Sequence, residues 1–221
     1  MNRFFTNKLY SIFFLLITCL VVLTISRLAW ISDDALISFR TSLNFSNGLG
    51  LSYNVFERVQ AFTNPFFVIL LGSIYYFIGN IYSAFFIISF LSLCIYFSII
   101  YQFLKINKNF LVTAYILFSL LLSKAFVEFS TSGLEESLSL ALLSLGIYLL
   151  HKSNIFEAGK QSKKTVVIGL LFLSLASITR LDLSIFVLPI LFFLFIKNYK
   201  NIYLIFYGFT PLFIWLLFLD R

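Results

Sequence analysis

Charge is scarce in this chain. Lys, Arg, Asp and Glu make up 11% of its 221 residues, against 61% hydrophobic and 20% aromatic. A soluble domain carries about a quarter charged residues, so that class is excluded. Mean hydropathy is +1.00. Cysteine is nearly absent: Cys19 and Cys94 are the two present, both inside apolar runs. They are expected to be buried small hydrophobes, not a disulfide or a metal pair. The single histidine, His151, closes an apolar run beside Lys152, and no other His or Cys is placed to join it on a metal. Repeats, low-complexity linkers and a soluble domain are also missing.

What remains is a series of apolar runs. Those at about 9–29, 65–79, 81–104, 110–130, 136–151, 165–179, 183–197 and 201–219 predict helices. In lipid a helix satisfies its own backbone hydrogen bonds, and the bilayer core is roughly 30 Å thick. The expected class is an all-α polytopic membrane protein. The first run is too long for the apolar part of a signal peptide, and "RLAWISDD" gives no cleavage site, so it reads as a retained span. The net charge of +7 points to membrane orientation, not nucleic acid, because the lysines sit in short loops between apolar runs.

Charge sorting sets a topology. With the N-terminus, Arg3 and Lys8 inside, the 30–64 loop lies outside. If every later run crossed, the basic loops would fall on conflicting sides. The conflict disappears if 65–79 does not cross. That run follows a proline, ends at Gly79-Asn80 and is about 22 Å long at 1.5 Å per residue, short of a full crossing. The expectation is about seven spans, an interfacial helix and a short re-entrant helix. Lys105, Lys108, Lys152, Lys160, Lys163, Lys164, Lys197 and Lys200 then lie inside. Asp33, Asp34, Glu57, Glu135, Glu136, Asp182 and Asp220 lie outside. Lys124 and Glu157 are exceptions, and Lys124 is four residues before Glu128, a local helical pair. Arg27, Arg40, Arg58 and Arg180 gather near the outer face, against the usual bias. Arginine suits bidentate phosphate and carboxylate contacts.

The outer segment "ISDDALISFR" carries the sharpest signal. Ser32 is a suitable N-cap for a helix from Asp33. Leu36, Phe39 and Leu43 recur at helical spacing, with Asp33, Arg40 and Asn44 on another face, which reads as an amphipathic interfacial helix. It ends at "SNGLG". Both aspartates fall in the first turn, where the helix dipole favours ionisation. An ionised carboxylate there can take a proton from a sugar hydroxyl or bind a metal; it can equally serve as a plain helix cap. Three further outer segments share that ambiguity: "ERVQAFTNPFF" with Pro65 opening a helix, "STSGLEES" with Glu135 and Glu136, and "ITRLDLS" with Arg180 and Asp182.

Together these segments resemble the bacterial GT-C membrane glycosyltransferases, closest to the terminal arabinofuranosyltransferase-like group. The matching residues of the first loop are Asp33, Asp34, Ala35, Phe39, Arg40, Asn44, Gly48, Gly50, Leu51, Asn54, Glu57, Arg58, Val59, Thr63, Asn64 and Pro65. Shorter matches follow at Ser132, Gly133, Leu134 and Glu135, and at Thr179, Arg180 and Asp182. The family has Gly where this chain has Ala61, and Pro where it has Leu181. Its members are longer, so the single GT-C-like domain of residues 1–221 is expected to be truncated at its C-terminus: a truncated gene, a fragment, or half of a split gene whose partner chain supplies the rest. The resemblance implies transfer of a sugar from a polyprenyl-phosphate donor to an extracytoplasmic cell-envelope glycan or lipid-linked acceptor, with inversion. Asp33 or Asp34 would be the general base. Arg40, Arg58, Asn64, Glu135, Arg180 and Asp182 would contact donor phosphate or sugar. The implied location is the bacterial plasma membrane, multi-pass, with membrane lipid as partner and the active face outside. No cofactor is indicated, and a divalent metal stays open. A second class also fits: a non-catalytic remnant, or a lipid-binding or flippase-like subunit.

Overall fold

A computed structural model describes residues 3–57, 59–105, 109–155, 162–197 and 202–219. Arg58, Lys108, Glu157, Lys160, Lys200 and Asp220, all named above, lie outside these described residues. Within them the chain is all-helical: α1 (Arg3–Arg27), α2 (Asp33–Ser46), α3 (Pro65–Ile78), α4 (Ile81–Leu104), α5 (Phe110–Leu122), α6 (Lys124–Phe129), α7 (Glu136–Lys152), α8 (Lys163–Thr179), a 3₁₀ turn (Leu181–Leu183), α9 (Ser184–Lys197), α10 (Tyr203–Gly208) and α11 (Thr210–Leu219). Two stretches, Lys8–Arg27 and Ile81–Leu104, are long and apolar enough to cross a bilayer; Pro65–Ile78, Phe110–Leu122 and Leu181–Ile196 are apolar but shorter.

The helix ends follow local chemistry. Pro65 opens α3, where its missing N–H is not needed. Asn80 caps α4 by accepting from the Ser83 N–H at 3.0 Å. Two expected continuous runs are interrupted. The 110–130 run breaks at Ser123, which leaves the helix in an extended conformation and caps α6 through Phe126 N at 3.3 Å. The 201–219 run breaks at Phe209.

Contacts fix the direction of each helix. Ser11 Oγ meets Tyr101 Oη at 2.8 Å, while Ile17, Val21 and Ile25 pack with Leu93 and Phe97; α1 and α4 are therefore antiparallel. Tyr10 Oη meets Thr113 Oγ1 at 2.7 Å, and Trp30 Nε1 donates to Glu128 O at 3.1 Å, so α5 and α6 run alongside α1. Phe103 meets Tyr148 and His151, while Ala84 and Phe85 share a core with Leu138 and Leu142; α7 runs alongside α4. The α8 helix returns antiparallel to α7, and α10–α11 follow α8, with Gly208 against Leu170 and Leu212 N donating to Ser174 Oγ at 3.2 Å.

Between α1 and α4, helices α2 and α3 lie side by side and parallel. Ser38 meets Asn64, and Ser42 Oγ donates to Val68 O at 3.0 Å. A Cβ on Gly72 would sit 2.7 Å from Ser42 O. Phe39 touches Tyr82 and Phe85 at the start of α4. The α2–α3 pair thus returns the chain to the half of the bundle where α1 finished. In consequence Lys105, Lys152, Lys163 and Lys164 lie at one end. Asp33, Asp34, Glu135, Glu136 and Asp182 lie at the other, hereafter the acidic end.

Two expectations about packing are corrected. Cys19 and Cys94 are not buried; both are free and face outward, on helices whose outer surface is itself apolar (Leu15, Leu16, Leu20, Leu91, Ile95). In α2 the packed face is small and largely polar: Ala35, Ser38, Phe39, Thr41 and Ser42 are buried, and Leu36 is exposed. Small residues serve such contacts because they let backbones approach.

The α7–α8 contact is the clearest case. A Cβ on Gly146 would sit 2.6 Å from Leu173 Cδ2 and 3.0 Å from Gly169 O. Gly146→Leu is expected to push the two helices apart and to cost about 1–3 kcal/mol of stability, read as a lowered midpoint of thermal unfolding in detergent.

Candidate functional site

The start of α2 hangs on the connection between α6 and α7. Ser32, extended at φ −77° and ψ 156°, accepts from the Ala35 N–H at 3.2 Å. Its own N–H donates to Ser132 O at 2.8 Å. Next to it Gly133 has φ +88°, and a Cβ there would lie 2.4 Å from Ala35 Cβ and 3.3 Å from Ile31 Cγ2. The "DDA" and "SGLE" segments are thus in direct contact. Asp33 and Asp34 occupy the first turn and are exposed. Asp33 Oδ1 accepts from the Asp34 N–H at 3.2 Å. Among the described residues, neither carboxylate has a cationic partner.

Beside this turn, three segments meet in an ionic cluster. Asn64, 4% exposed, donates through Nδ2 to Glu135 Oε2 at 2.6 Å. It also exchanges hydrogen bonds with Ser38 Oγ at 3.2 and 3.3 Å, so it bolts the start of α3 to α2 and to the start of α7. Arg180, extended after α8, places Nε 3.0 Å from Asp182 Oδ1 and Nη2 2.6 Å from Asp182 Oδ2. Its Nη1 pairs with Glu136 Oε1, and Glu135 Oε1 lies 3.9 Å from Nε. Burial opposes the Arg180 charge. The hydrogen bonds to Asp182 and the Glu136 charge outweigh it, and the pKa stands above the ordinary arginine value. Asp182 is held below the usual carboxylate range by its hydrogen bonds from Arg180.

Arg40 belongs to a separate group. Its guanidinium lies 4.4 Å over the Tyr53 ring, and Nη2 is 3.4 Å from Asn54 Oδ1. Asn54 Nδ2 in turn donates to Glu57 Oε2 at 3.1 Å. Asn44 fixes the same loop by donating to Ser52 O and Tyr53 O at 2.8 and 3.1 Å. Among the described residues Arg40 has no carboxylate partner.

No family model matches the chain, and neither a curated protein nor a solved structure matches it. The site therefore stands on its own geometry. Of the residues named from sequence, Asn64, Glu135, Arg180 and Asp182 come together. Asp33 and Asp34 adjoin them through the Ser32–Ser132 bond and the Gly133 contact. Arg40 sits further along α2, and Arg58 lies outside the described residues. Sequence reasoning named Glu136 as an outer acid but gave it no site role; it is a principal partner of Arg180, and its Oε2 is buried without a hydrogen bond. Sequence reasoning gave Ser38 no site role either. Its coupling to Asn64 could have been sought in the serine-rich inner face of α2.

The cluster has a definite chemical meaning. Arg180 is enclosed by its own carboxylates, so it ties the α8–α9 turn to α7 and has little left for a ligand. Its central position also spaces the acids around a guanidinium. Among the described residues no three His, Cys, Asp or Glu side chains are grouped to hold a metal ion. An apolar cavity of about 300 Å³ adjoins the tie, lined by Phe126, Phe129, Glu136, Ser139 and Arg180 among others. Among the described residues of α2, the Asp33 and Asp34 carboxylates and the Arg40 guanidinium have no ion-pair partner and can meet a ligand.

Proposed function

We propose that the chain is the catalytic part of a membrane glycosyltransferase of GT-C type. It would move a sugar from a polyprenyl-phosphate donor to a glycan or lipid-linked acceptor at the outer membrane face. The observation that carries this reading is the pair of exposed first-turn carboxylates, free of any described counter-cation, fixed against an ionic cluster built from three loops. The topology belongs to the same proposal: about seven spans in a bacterial plasma membrane, with α3 half-inserted. The antiparallel course of α1 and α4 supports it, because it leaves no net crossing for α2 and α3. The separation of lysines from acids supports it as well, since lysine-rich ends stay inside.

In the proposed reaction Asp33 or Asp34 takes the proton of an acceptor hydroxyl. That oxygen bonds to the anomeric carbon from the face opposite the leaving group, while the bond from that carbon to the lipid phosphate oxygen breaks. The charge left on the phosphate meets Arg40, stacked and fixed by Tyr53 and Asn54. Preorganised donors of this kind stabilise developing charge without reorganising. Arg180, gripped by Asp182, pairs with Glu136 and lies beside Glu135, which keeps the acidic end in place around the reacting groups.

The test uses the full chain in nanodiscs with radiolabelled polyprenyl-phosphate pentoses and hexoses. Asp33→Asn or Asp34→Asn, whichever removes the base, is expected to slow transfer about 10²–10⁴-fold, with the other change much milder. Full transfer in both variants would sink the catalytic reading and leave a lipid-binding subunit.

A further inference from the structure

A second cavity, of about 520 Å³, lies between described residues of the 49–62 loop and α11, within the roughly 300–1,000 Å³ range of small-molecule sites. We infer that it is a pocket for a neutral saccharide, the acceptor of the proposed transfer; the word acceptor rests on the glycosyltransferase reading, while the saccharide chemistry rests on the pocket itself. Its walls divide by chemistry. Phe62, Trp215 and Phe218 form an aromatic side, with Trp215 centred 6.3 Å from Phe62 and 5.3 Å from Phe218. Ser52, Glu57 and Gln60 form a polar side. A sugar ring presents a face of C–H groups and a rim of hydroxyls. Aromatic rings offer apolar area to the first, and carboxylate and amide oxygens accept from the second.

The polar side is specific in what it offers. Glu57 Oε2 accepts from Asn54 Nδ2, which leaves Oε1. Gln60 spends one N–H on Phe62 O at 2.9 Å, which leaves its carbonyl oxygen and its second N–H. The two remaining oxygens are acceptors, one on an anionic group, and among the described residues no cation lines the cavity. A ligand that donates hydrogen bonds fits, and the Glu57 carboxylate, the one ionised group among the described lining residues, repels a phosphate. The pocket therefore suits the acceptor and not the anionic donor. The chain of contacts from Arg40 through Asn54 to Glu57 links it to α2, the helix that carries Asp33 and Asp34.

The test is saturation-transfer NMR on the full chain in nanodiscs. The probes are methyl hexopyranosides and methyl pentofuranosides, with the sugar 1-phosphates as anionic counterparts. At least one neutral glycoside is expected to show saturation of its ring protons. Affinity should fall about tenfold or more in Trp215→Ala and in the Glu57→Ala/Gln60→Ala double variant, and the matching 1-phosphate should bind much more weakly. The inference is overturned if no neutral glycoside binds, if binding survives those substitutions, or if the 1-phosphate binds equally well. No turnover is needed, so its failure is separate from the outcome of the Asp33 and Asp34 experiment.

Discussion

Gly133→Val is expected to dismantle the acidic end and abolish transfer. Two costs add. At φ +88° a side chain meets the left-handed penalty of about 1–2 kcal/mol. A Cβ there would also lie 2.4 Å from Ala35 Cβ, and relieving such crowding costs about 1–3 kcal/mol. The sum, about 2–5 kcal/mol, is a large part of a typical domain's stability of about 5–15 kcal/mol. It also falls where the 132–135 segment supports the first turn of α2, so the Ser32–Ser132 hydrogen bond would be lost with it. The informative control is Gly48→Ala. Gly48 has φ +76° but nothing within 4 Å of a Cβ, so only the conformational cost applies. Thermal unfolding in detergent, with transfer measured alongside, should show a severe Gly133 variant and a mild Gly48 variant. Equal effects would mean that the contact with Ala35 matters little.

Arg180→Met is the second large effect. It removes the cation that, among the described residues, pairs with Glu135, Glu136 and Asp182, whose side chains are 12%, 24% and 55% exposed. Removing one partner of a buried ion pair costs about 3–5 kcal/mol, because a charge is stranded. Arg180 is itself 30% exposed, which places the expectation at the low end, about 3 kcal/mol. Adding Glu136→Gln to Arg180→Met should recover part of the loss, since it removes the stranded charge. Arg180→Lys should be intermediate, keeping the charge without the two-pronged contact to Asp182. The readout is the midpoint of thermal unfolding for the four proteins. An unchanged midpoint in Arg180→Met would refute the tie.

Much of this arrangement is legible in the sequence, for identifiable reasons. Helix positions follow from apolar runs and their punctuation: Pro65 starts α3 and Gly79-Asn80 separates it from α4. Gathering of Asp33, Asn64, Glu135 and Arg180 at one end follows from charge sorting alone, because each lies at the same end of an alternating set of helices. The Lys124–Glu128 pair also appears as its spacing predicts, at 3.8 Å. Other features were hidden. Ser123 breaks a run that hydropathy reads as continuous, because its hydroxyl caps α6 and hydropathy does not register a cap. The inward face of α2 was hard to see because, where the surroundings are apolar, leucine gains little by turning inward and small residues gain contact. The enclosure of Arg180 depends on which rotamers meet in three dimensions. Spacing could suggest a partner in Asp182 but not the share taken by Glu136.

The separation of lysines from acids described for the fold has an electrical consequence. In a bilayer it would give the chain a polarity along the membrane normal. The end with Lys105, Lys152, Lys163 and Lys164 sits one helix length from the end with Asp33, Asp34, Glu135, Glu136 and Asp182. A cell negative inside holds positive charge on its inner side, by about 2.3 kcal/mol per elementary charge for each 100 mV. The resting voltage would therefore act as a restoring force on orientation.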